Sequence, residues 1–228
     1  MVKKIIVLLV FLCSASILVA GDIATFVNCG FSSNSRYYMF ALYGIDDKSS
    51  PYAETYIVNV PANDFVPGGA RRALYNEPVQ PGQEGLGAFL MLFKDVIPIT
   101  KQYSINHMKT GRILYLLLNG EEPKANLEFR DFNTGNRYNI SLNQSRYGSG
   151  SSVSASFFID VTINFANGTY KDYTVGRPNY KRKGVLSYQI SQVILSPDEE
   201  SLVFVVEKEE QDHVGVNIRY MVETVKIR

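Results

Sequence analysis

The sequence contains no tryptophan, two histidines and two cysteines. Cys13 lies in the apolar N-terminal segment, so Cys29 is the one thiol in the remainder of the chain. A lone thiol cannot form an intramolecular disulfide, and burial of apolar side chains must therefore hold the fold together. Cys29 lies in a strand-like run, which predicts a small, buried apolar residue rather than a reactive thiol.

Motifs that bind metals or cofactors are also missing. His107 and His213 are far apart, and no paired His/Cys spacing exists to begin a zinc site. The chain has neither a Gly-x-Ser-x-Gly motif nor a phosphate-binding Gly-x-x-x-x-Gly-Lys-Ser/Thr motif, and the Gly/Ser-rich residues 148–151 are better explained as a loop. We therefore predict no cofactor and assign no catalytic residue, although a Ser-His-Asp site assembled only in space stays open.

Neither sign of charge dominates. The chain has 23 Lys and Arg against 22 Asp and Glu, and removal of Lys3 and Lys4 with the N-terminal segment leaves 21 basic residues. This balance gives no reason to expect nucleic acid or an anionic membrane as the partner.

The N-terminal segment, residues 1–21, has the three zones of a secretory signal peptide. Lys3 and Lys4 precede an apolar run, and small residues follow at Val19, Ala20 and Gly21. Cleavage after Gly21 would release a secreted or periplasmic protein. An uncleaved membrane anchor is the alternative, because the apolar run is near the lower length limit for crossing a bilayer.

Residues 22–228 are predicted to form a single, mainly β domain. No Pro/Ser-rich linker divides them, and many Val, Ile, Thr, Tyr and Phe residues alternate with turn signals. One helical insertion is expected at about residues 85–103, where apolar residues recur at helical spacing. Pro98 should end or kink this helix, which predicts one helix over 88–96 and a short second one near 100–103.

Three other segments define the strands in the middle of the chain. The apolar run 113–118 predicts a central strand. Residues 127–142 predict a half-buried hairpin, and residues 155–175 predict a second hairpin that turns at Asn167 and Gly168.

The clearest signal is an internal repeat. Residues 195–204, which include the turn Ser196-Pro197-Asp198, match residues 31–40 at an offset of 164 positions. The same offset sets residues 56–58 against 220–222, which predicts loops of equal length in the two copies. The repeat indicates that the two ends of the chain are versions of one unit and meet in one fold.

This unit resembles the blade repeat of TolB-like β-propellers, in which the turn is usually Ser-Pro-Asp-Gly. Pro197 and Asp198 keep that turn only in the second copy. The resemblance implies blade-like units at both termini, with a β-sandwich as the alternative architecture. Segments 63–69, 127–132 and 180–185 also resemble a bacterial family of predicted secreted proteins of unknown function, which supplies no catalytic residues.

Two classes of function fit these observations. The first is a non-catalytic module of the cell envelope that binds a protein or peptide partner through loops, blade faces or a strand edge. Tyrosines, an acidic loop, a run of cations and a charged loop near the C-terminus provide the candidate binding residues: Tyr43, Asp46, Asp47, Tyr52, Lys181, Arg182, Lys183, Asp212 and His213.

The second class is a periplasmic hydrolase or carbohydrate-active enzyme that uses two carboxyl groups. Glu128 with Asp131, or Asp160 with Asp172, could provide such a pair. Carboxyl groups roughly 5 to 10 Å apart in a deep pocket would favour this alternative.

Overall fold

The computed structural model describes residues 21–80, 82–212 and 215–228. The predicted signal peptide up to Ala20, and His213, lie outside the described residues. Within the described ranges, no helix is long and apolar enough to cross a membrane.

In the described residues, antiparallel strands and one α-helix make up the fold, which confirms the mainly β prediction. In chain order the elements are β1 (Thr25–Ser32), β2 (Tyr37–Ile45), β3 (Pro51–Asn59), β4 (Asp64–Phe65), β5 (Arg71–Leu74), α1 (Leu86–Gln102), β6 (Ile105–Asn106), β7 (Arg112–Leu116), β8 (Asn126–Arg130), β9 (Arg137–Tyr147), β10 (Ser154–Asn164), β11 (Tyr170–Gly176), β12 (Arg182–Lys183), β13 (Val185–Leu195), β14 (Ser201–Gln211) and β15 (Val216–Lys226).

The strands form three sheets. The N-terminal sheet has the order β4-β3-β2-β1-β6, with β5 also paired to β3. The C-terminal sheet has the order β15-β14-β13-β7, and the hairpin sheet has the order β11-β10-β9-β8 with β12 also paired to β10. Both predicted hairpins are confirmed, and they belong to one sheet.

The C-terminal sheet is the middle layer. Val203 and Val205 of β14 pack against the N-terminal sheet, while Leu202, Phe204 and Val206 of the same strand pack against the hairpin sheet. Coverage on both faces explains why β14 begins as a continuous apolar run. The three sheets of the described residues close into neither a propeller nor a barrel, and this layering is compatible with both blade-like units and a sandwich.

The helix α1 covers the outer face of the N-terminal sheet through Ala88, Leu92 and Val96. The predicted break at Pro98 is wrong, because α1 is a single helix from Leu86 to Gln102. Proline has no backbone N–H to donate to the carbonyl one turn earlier in the helix. Because Pro98 is exposed, water can donate to that carbonyl instead.

The apolar run 113–118 does not form a central strand. Its strand, β7, pairs with β13 only and lies at the edge of the C-terminal sheet. Ile113, Leu116 and Leu118 are 52%, 43% and 55% exposed. A continuous apolar run predicts burial on both faces, and here the order of the strands overrides that preference.

The two repeated turns have the same hydrogen bonds. In the first turn Ser32 Oγ donates to Asn34 Oδ1 (2.8 Å) and accepts from the Tyr37 N–H (2.9 Å). In the second, Ser196 Oγ donates to Asp198 Oδ1 (2.5 Å) and accepts from the Ser201 N–H (2.9 Å). The positive φ angles also correspond, at 56° for Ser35 and 59° for Glu199. The repeat is therefore structural.

The offset of 164 does not extend to the third strand of the unit. Phe40 pairs with Tyr56, whereas its counterpart Phe204 pairs with Glu223, so the second hairpin contains three more residues than the first. The prediction of equal loops is wrong. The extra residues lie in the strands, because β14 continues through Gln211 and much of the charged segment predicted to be a loop near the C-terminus, residues 207–211, is therefore strand.

The two ends of the described chain meet, as the repeat predicts. Ile23 forms a parallel bridge with Ile218 of β15. The Ala24 N–H donates to the Ile218 carbonyl (3.0 Å), and the Ile218 N–H donates to the Asp22 carbonyl (2.8 Å).

Replacement of Ser196 by alanine tests the repeated turn. We expect the free energy of unfolding to fall by about 1–2 kcal/mol, because the buried Ser201 N–H loses its acceptor. Urea denaturation measures the change, with Ser151→Ala at an exposed position as the control. An equal loss in the two variants would contradict the role of the hydroxyl.

Candidate functional site

A cleft of about 400 Å³ lies where the N-terminal and C-terminal sheets meet residues 177–182, the segment that joins β11 and β12 of the hairpin sheet. We call it the inter-sheet cleft and define it by the side chains that line it. These are Phe40, Tyr56, Val58, Asn63, Asp64, Phe65, Arg177, Tyr180, Arg182, Lys208, Tyr220, Met221 and Glu223.

A ladder of aromatic rings connects Phe65 of the N-terminal sheet to Tyr220 of the C-terminal sheet at this cleft. Phe65 lies 5.3 Å from Tyr56, and Tyr56 stacks on Phe40 at 5.0 Å between ring centroids. The ladder continues from Phe40 to Phe26 and from Phe26 to Tyr220, with 5.8 Å between the ring centroids of each pair. The outer end of the ladder, Phe65, is 52% exposed and offers its ring to a ligand.

The cleft also holds a buried carboxylate. Glu223 of β15 is 5% exposed. Its Oε2 accepts a hydrogen bond from Asn63 Nδ2, and its Oε1 lies 3.7 Å from Arg182 Nη2. Burial raises the pKa of Glu223 above its ordinary value, and the opposing effects of Asn63 and Arg182 are smaller.

Asn63 joins the two sheets beside this carboxylate. Its Oδ1 accepts a hydrogen bond from the Thr224 N–H (2.7 Å), while Thr224 Oγ1 donates to the Val60 carbonyl (2.7 Å). The backbone of Asn63 has φ = 49°, a left-handed conformation that asparagine tolerates better than most residues. We call the contacts among Val60, Asn63, Glu223 and Thr224 the Asn63 latch.

Arg182 is held mainly by aromatic rings. Its guanidinium carbon lies 4.9 Å from the ring centroid of Tyr180, 5.2 Å from that of Phe157 and 5.9 Å from that of Tyr188. Its Nη1 is buried and has no hydrogen-bond partner in the described part of the chain. Cation–π contacts and the carboxylate of Glu223 therefore fix this cation at the cleft wall.

Two further cations lie at the cleft. Arg177 is exposed, and Lys208 Nζ donates a hydrogen bond to Glu210. Asp64, on the opposite side, accepts from the Phe65 N–H (2.8 Å). The cleft thus combines aromatic rings with charges of both signs, which suits a ligand that has apolar and polar groups.

The predicted binding residues fall into two groups. Around Asp22, the Tyr52 hydroxyl donates to Asp22 Oδ1 (3.1 Å), and Asn217 connects the Asp22 N–H (2.8 Å) to Asp212 (2.8 Å). The charge of Asp46 also acts on Asp22, although burial is the largest cause of the raised pKa of Asp22. Tyr43 lines a neighbouring pocket of about 520 Å³.

The remaining members of this first group are placed as follows. Tyr52 is 1% exposed and belongs to the core. Asp46 caps its own turn by accepting from the Lys48 and Ser50 N–H groups (2.9 and 2.8 Å), and Asp47 is exposed. The structure therefore brings Tyr43, Asp46, Tyr52 and Asp212 together around Asp22.

The second group is the cation run at β12. Arg182 lines the inter-sheet cleft, Lys181 Nζ lies 3.8 Å from the ring centroid of Tyr147, and Lys183 is exposed. Of the predicted residues with a described side chain, only Arg182 lines this cleft.

Three members of the predicted carboxylate pairs have structural partners, and the fourth, Glu128, is exposed. Asp131 accepts hydrogen bonds from Arg112 and from Thr134 Oγ1 (2.5 Å). Burial alone would raise the pKa of Asp131, but these hydrogen bonds outweigh it and lower the pKa. Asp160 and Asp172 are exposed on the hairpin sheet, where Thr174 and Thr162 donate to them (2.8 and 2.6 Å).

The described histidine and cysteine, His107 and Cys29, do not form a reactive site in the described part of the chain. His107 Nδ1 lies 2.7 Å from the Cys29 carbonyl oxygen, and its ring packs edge-on against Phe93. Cys29 is buried as predicted, and burial raises the pKa of its thiol to about 12. The described residues include no group of three or more His, Cys, Asp or Glu that could hold a metal ion.

Most of the cleft cannot be predicted from the sequence, because its walls come from five separate segments of the chain. One signal was available. Glu223 is the one acidic residue of β15 and directly follows the apolar residues 220–222, a pattern that indicates either a surface strand or a buried, partnered carboxylate.

Comparison of the sequence with curated proteins and with solved structures gives no match. The resemblance to TolB-like propellers therefore rests only on the repeated turn and the strands beside it. Residues 39–226 match the model of a family described as a predicted secreted protein, DUF2259. Because this match covers most of the chain, the protein belongs to the DUF2259 family of predicted secreted proteins.

Proposed function

We propose that this protein is a non-catalytic binding module of the cell envelope, and that its inter-sheet cleft holds a segment of a protein or peptide partner. The observation that carries the proposal is the aromatic ladder, which ends at the half-exposed ring of Phe65 inside a cleft that also presents Arg177 and Arg182. Exposed aromatic rings beside arginine are the residues that most often dominate binding energy.

The size and chemistry of the cleft support a peptide segment. A volume of about 400 Å³ accommodates a few side chains. Apolar side chains of the partner would stack on Tyr56 and Phe65. Backbone carbonyl or carboxylate oxygens of the partner would accept hydrogen bonds from Arg177 and Lys208.

A hydrolase is the second candidate, and one observation favours it. Glu223 lies in the cleft with a raised pKa, which is the property of a general acid. Asn63 and Arg182 already engage both of its oxygens, which supports the binding role instead. The test is incubation with panels of oligosaccharides and peptides. Release of sugars or amino acids by the wild type, and its loss in Glu223→Gln, would establish that the protein is a hydrolase.

Selection from a displayed random-peptide library, followed by titration of the selected peptides, tests the binding role. The double variant Phe65→Ala/Arg177→Ala should weaken binding of those peptides by at least about tenfold, because an exposed ring and an exposed cation of the cleft are removed together. Isothermal calorimetry measures the dissociation constants.

The matched control is Phe132→Ala/Arg130→Ala. These residues also form an exposed arginine–aromatic pair, with 6.0 Å between the Arg130 guanidinium carbon and the Phe132 ring centroid, on the hairpin sheet. Their removal should leave affinity unchanged. Equal binding by the wild type and the cleft variant would reject the inter-sheet cleft as the binding site.

A further inference from the structure

The edge strand β7 presents an unusually apolar border. Ile113 and Leu116 of β7, Leu118 beyond it and Met108 before it are between 43% and 90% exposed. The six residues 113–118 include no charged residue and no proline. Exposed sheet edges are normally protected by charged residues, by proline or by short length. We call residues 108–118 the β7 edge.

The backbone at this edge can accept another strand. The Leu117 N–H donates to the Ser191 carbonyl (2.9 Å) and therefore points toward β13. Because backbone groups alternate in direction along a strand, those of Leu116 point to the other side. Within the described residues no strand pairs with that side. An extended polypeptide strand is the ligand that fits such an edge.

The charges that flank the edge favour a second copy of this chain. Exposed Lys109, whose Nζ donates to the Ser33 carbonyl (3.0 Å), precedes the apolar run, and exposed Glu121 and Glu122 follow it. Antiparallel pairing with a two-fold axis near Tyr115 sets the basic end of each β7 edge beside the acidic end of the other. A parallel pair would instead bring like charges together. We propose that the protein forms a two-fold symmetric dimer by antiparallel pairing of the β7 edges.

This interface is separate from the inter-sheet cleft. β7 lies at the opposite edge of the C-terminal sheet from β15, which forms a wall of the cleft. The dimer would hold two copies of the cleft and would strengthen binding to a repetitive or multimeric partner. Its formation can be tested without any ligand.

Sedimentation equilibrium over about 1 to 100 µM protein should show a concentration-dependent dimer for the wild type. Leu116→Lys should weaken dimerisation by at least about tenfold, because it places a charge at the centre of the pairing. The matched control is Leu90→Lys on α1, an equally apolar and 58% exposed position that should leave the dimer unchanged.

Charge exchange tests the antiparallel arrangement. Lys109→Glu alone should weaken the dimer, and Lys109→Glu/Glu121→Lys should restore it. Ile113→Lys serves in place of Leu116→Lys if circular dichroism shows that the latter is unfolded.

Three results would overturn the proposal. These are a wild type that stays monomeric throughout the concentration range, a dimer that folded Leu116→Lys or Ile113→Lys leaves intact, and a charge exchange that does not restore association. Loss of the dimer in Leu90→Lys alone would place the interface on α1 and would equally reject the β7 edge.

Discussion

Replacement of Asn63 by alanine is expected to lower the free energy of unfolding by about 3–5 kcal/mol. The change leaves the Thr224 N–H without its acceptor and the carboxylate of Glu223 without its shortest hydrogen bond. Each buried group left unpaired costs about 1–3 kcal/mol, and alanine at φ = 49° adds backbone strain. Urea denaturation followed by circular dichroism measures the loss.

The loss should depend on pH. Burial raises the pKa of Glu223, so the folded state favours the protonated form, and this contribution to stability is lost as the pH rises through the folded pKa. The hydrogen bond from Asn63 lowers this pKa, and its removal raises the pKa further. Asn63→Ala should therefore be more destabilising at neutral pH than near the ordinary pKa of glutamate.

Two companion variants separate the causes. Asn63→Gly removes the same hydrogen bonds without the strain of the positive φ angle, and it should be about 1 kcal/mol more stable than Asn63→Ala. In a Glu223→Gln background, Asn63→Ala should lower the free energy of unfolding by less, because no buried carboxylate loses its hydrogen-bond donor. Additive effects of the two changes would show that Asn63 and Glu223 are not coupled.

The sequence predicts local features of this fold well where a few neighbouring residues determine them. The turn at Ser196 is an example, because its serine and aspartate supply their own hydrogen bonds within the turn. The hairpin at Asn167 and Gly168 is another, since Gly168 adopts φ = 84°. The helical spacing of apolar residues at 86–97 likewise predicts the helix α1, although the buried face is formed by Ala88, Leu92 and Val96 and leaves Leu90 exposed.

Features that depend on the order of the strands are not predictable in this way. The apolar run 113–118 favours a fully covered strand, but its place at the end of the C-terminal sheet leaves it exposed. The pairing of Phe204 with Glu223 depends on the length of the hairpin rather than on the match of residues 220–222 with 56–58. That register carries Glu223 into the cleft.

The candidate site shows the same division. Arg182 was a candidate from its sequence alone, because it lies in a run of three cations. Asn63, Phe65, Arg177 and Glu223 become a group only when the N-terminal sheet, the C-terminal sheet and the segment after β11 of the hairpin sheet pack together. The repeat therefore explains the site in part, since the two related sheets that it produces form two walls of the cleft.

Asp22 is expected to be the main link between the start of the described chain and β15. Its carboxylate, 6% exposed, lies 2.5 Å from Arg219 Nη2 and accepts from the Tyr52 hydroxyl (3.1 Å). The guanidinium carbon of Arg219 lies 5.1 Å from the Tyr52 ring centroid. Asp22→Ala should cost about 3 kcal/mol, because it leaves a mostly buried guanidinium without its counter-ion.

Thermal unfolding followed by circular dichroism measures this loss, and Asp64→Ala is the control at an exposed aspartate. Asp22→Asn should cost less than Asp22→Ala, because the amide oxygen still accepts from Tyr52. Removal of both charges in Asp22→Ala/Arg219→Leu should recover part of the stability, since no unpaired charge remains buried. An Asp22→Ala protein as stable as the Asp64→Ala control would contradict the link, and residues 22–24 would then be held by their backbone hydrogen bonds to Ile218.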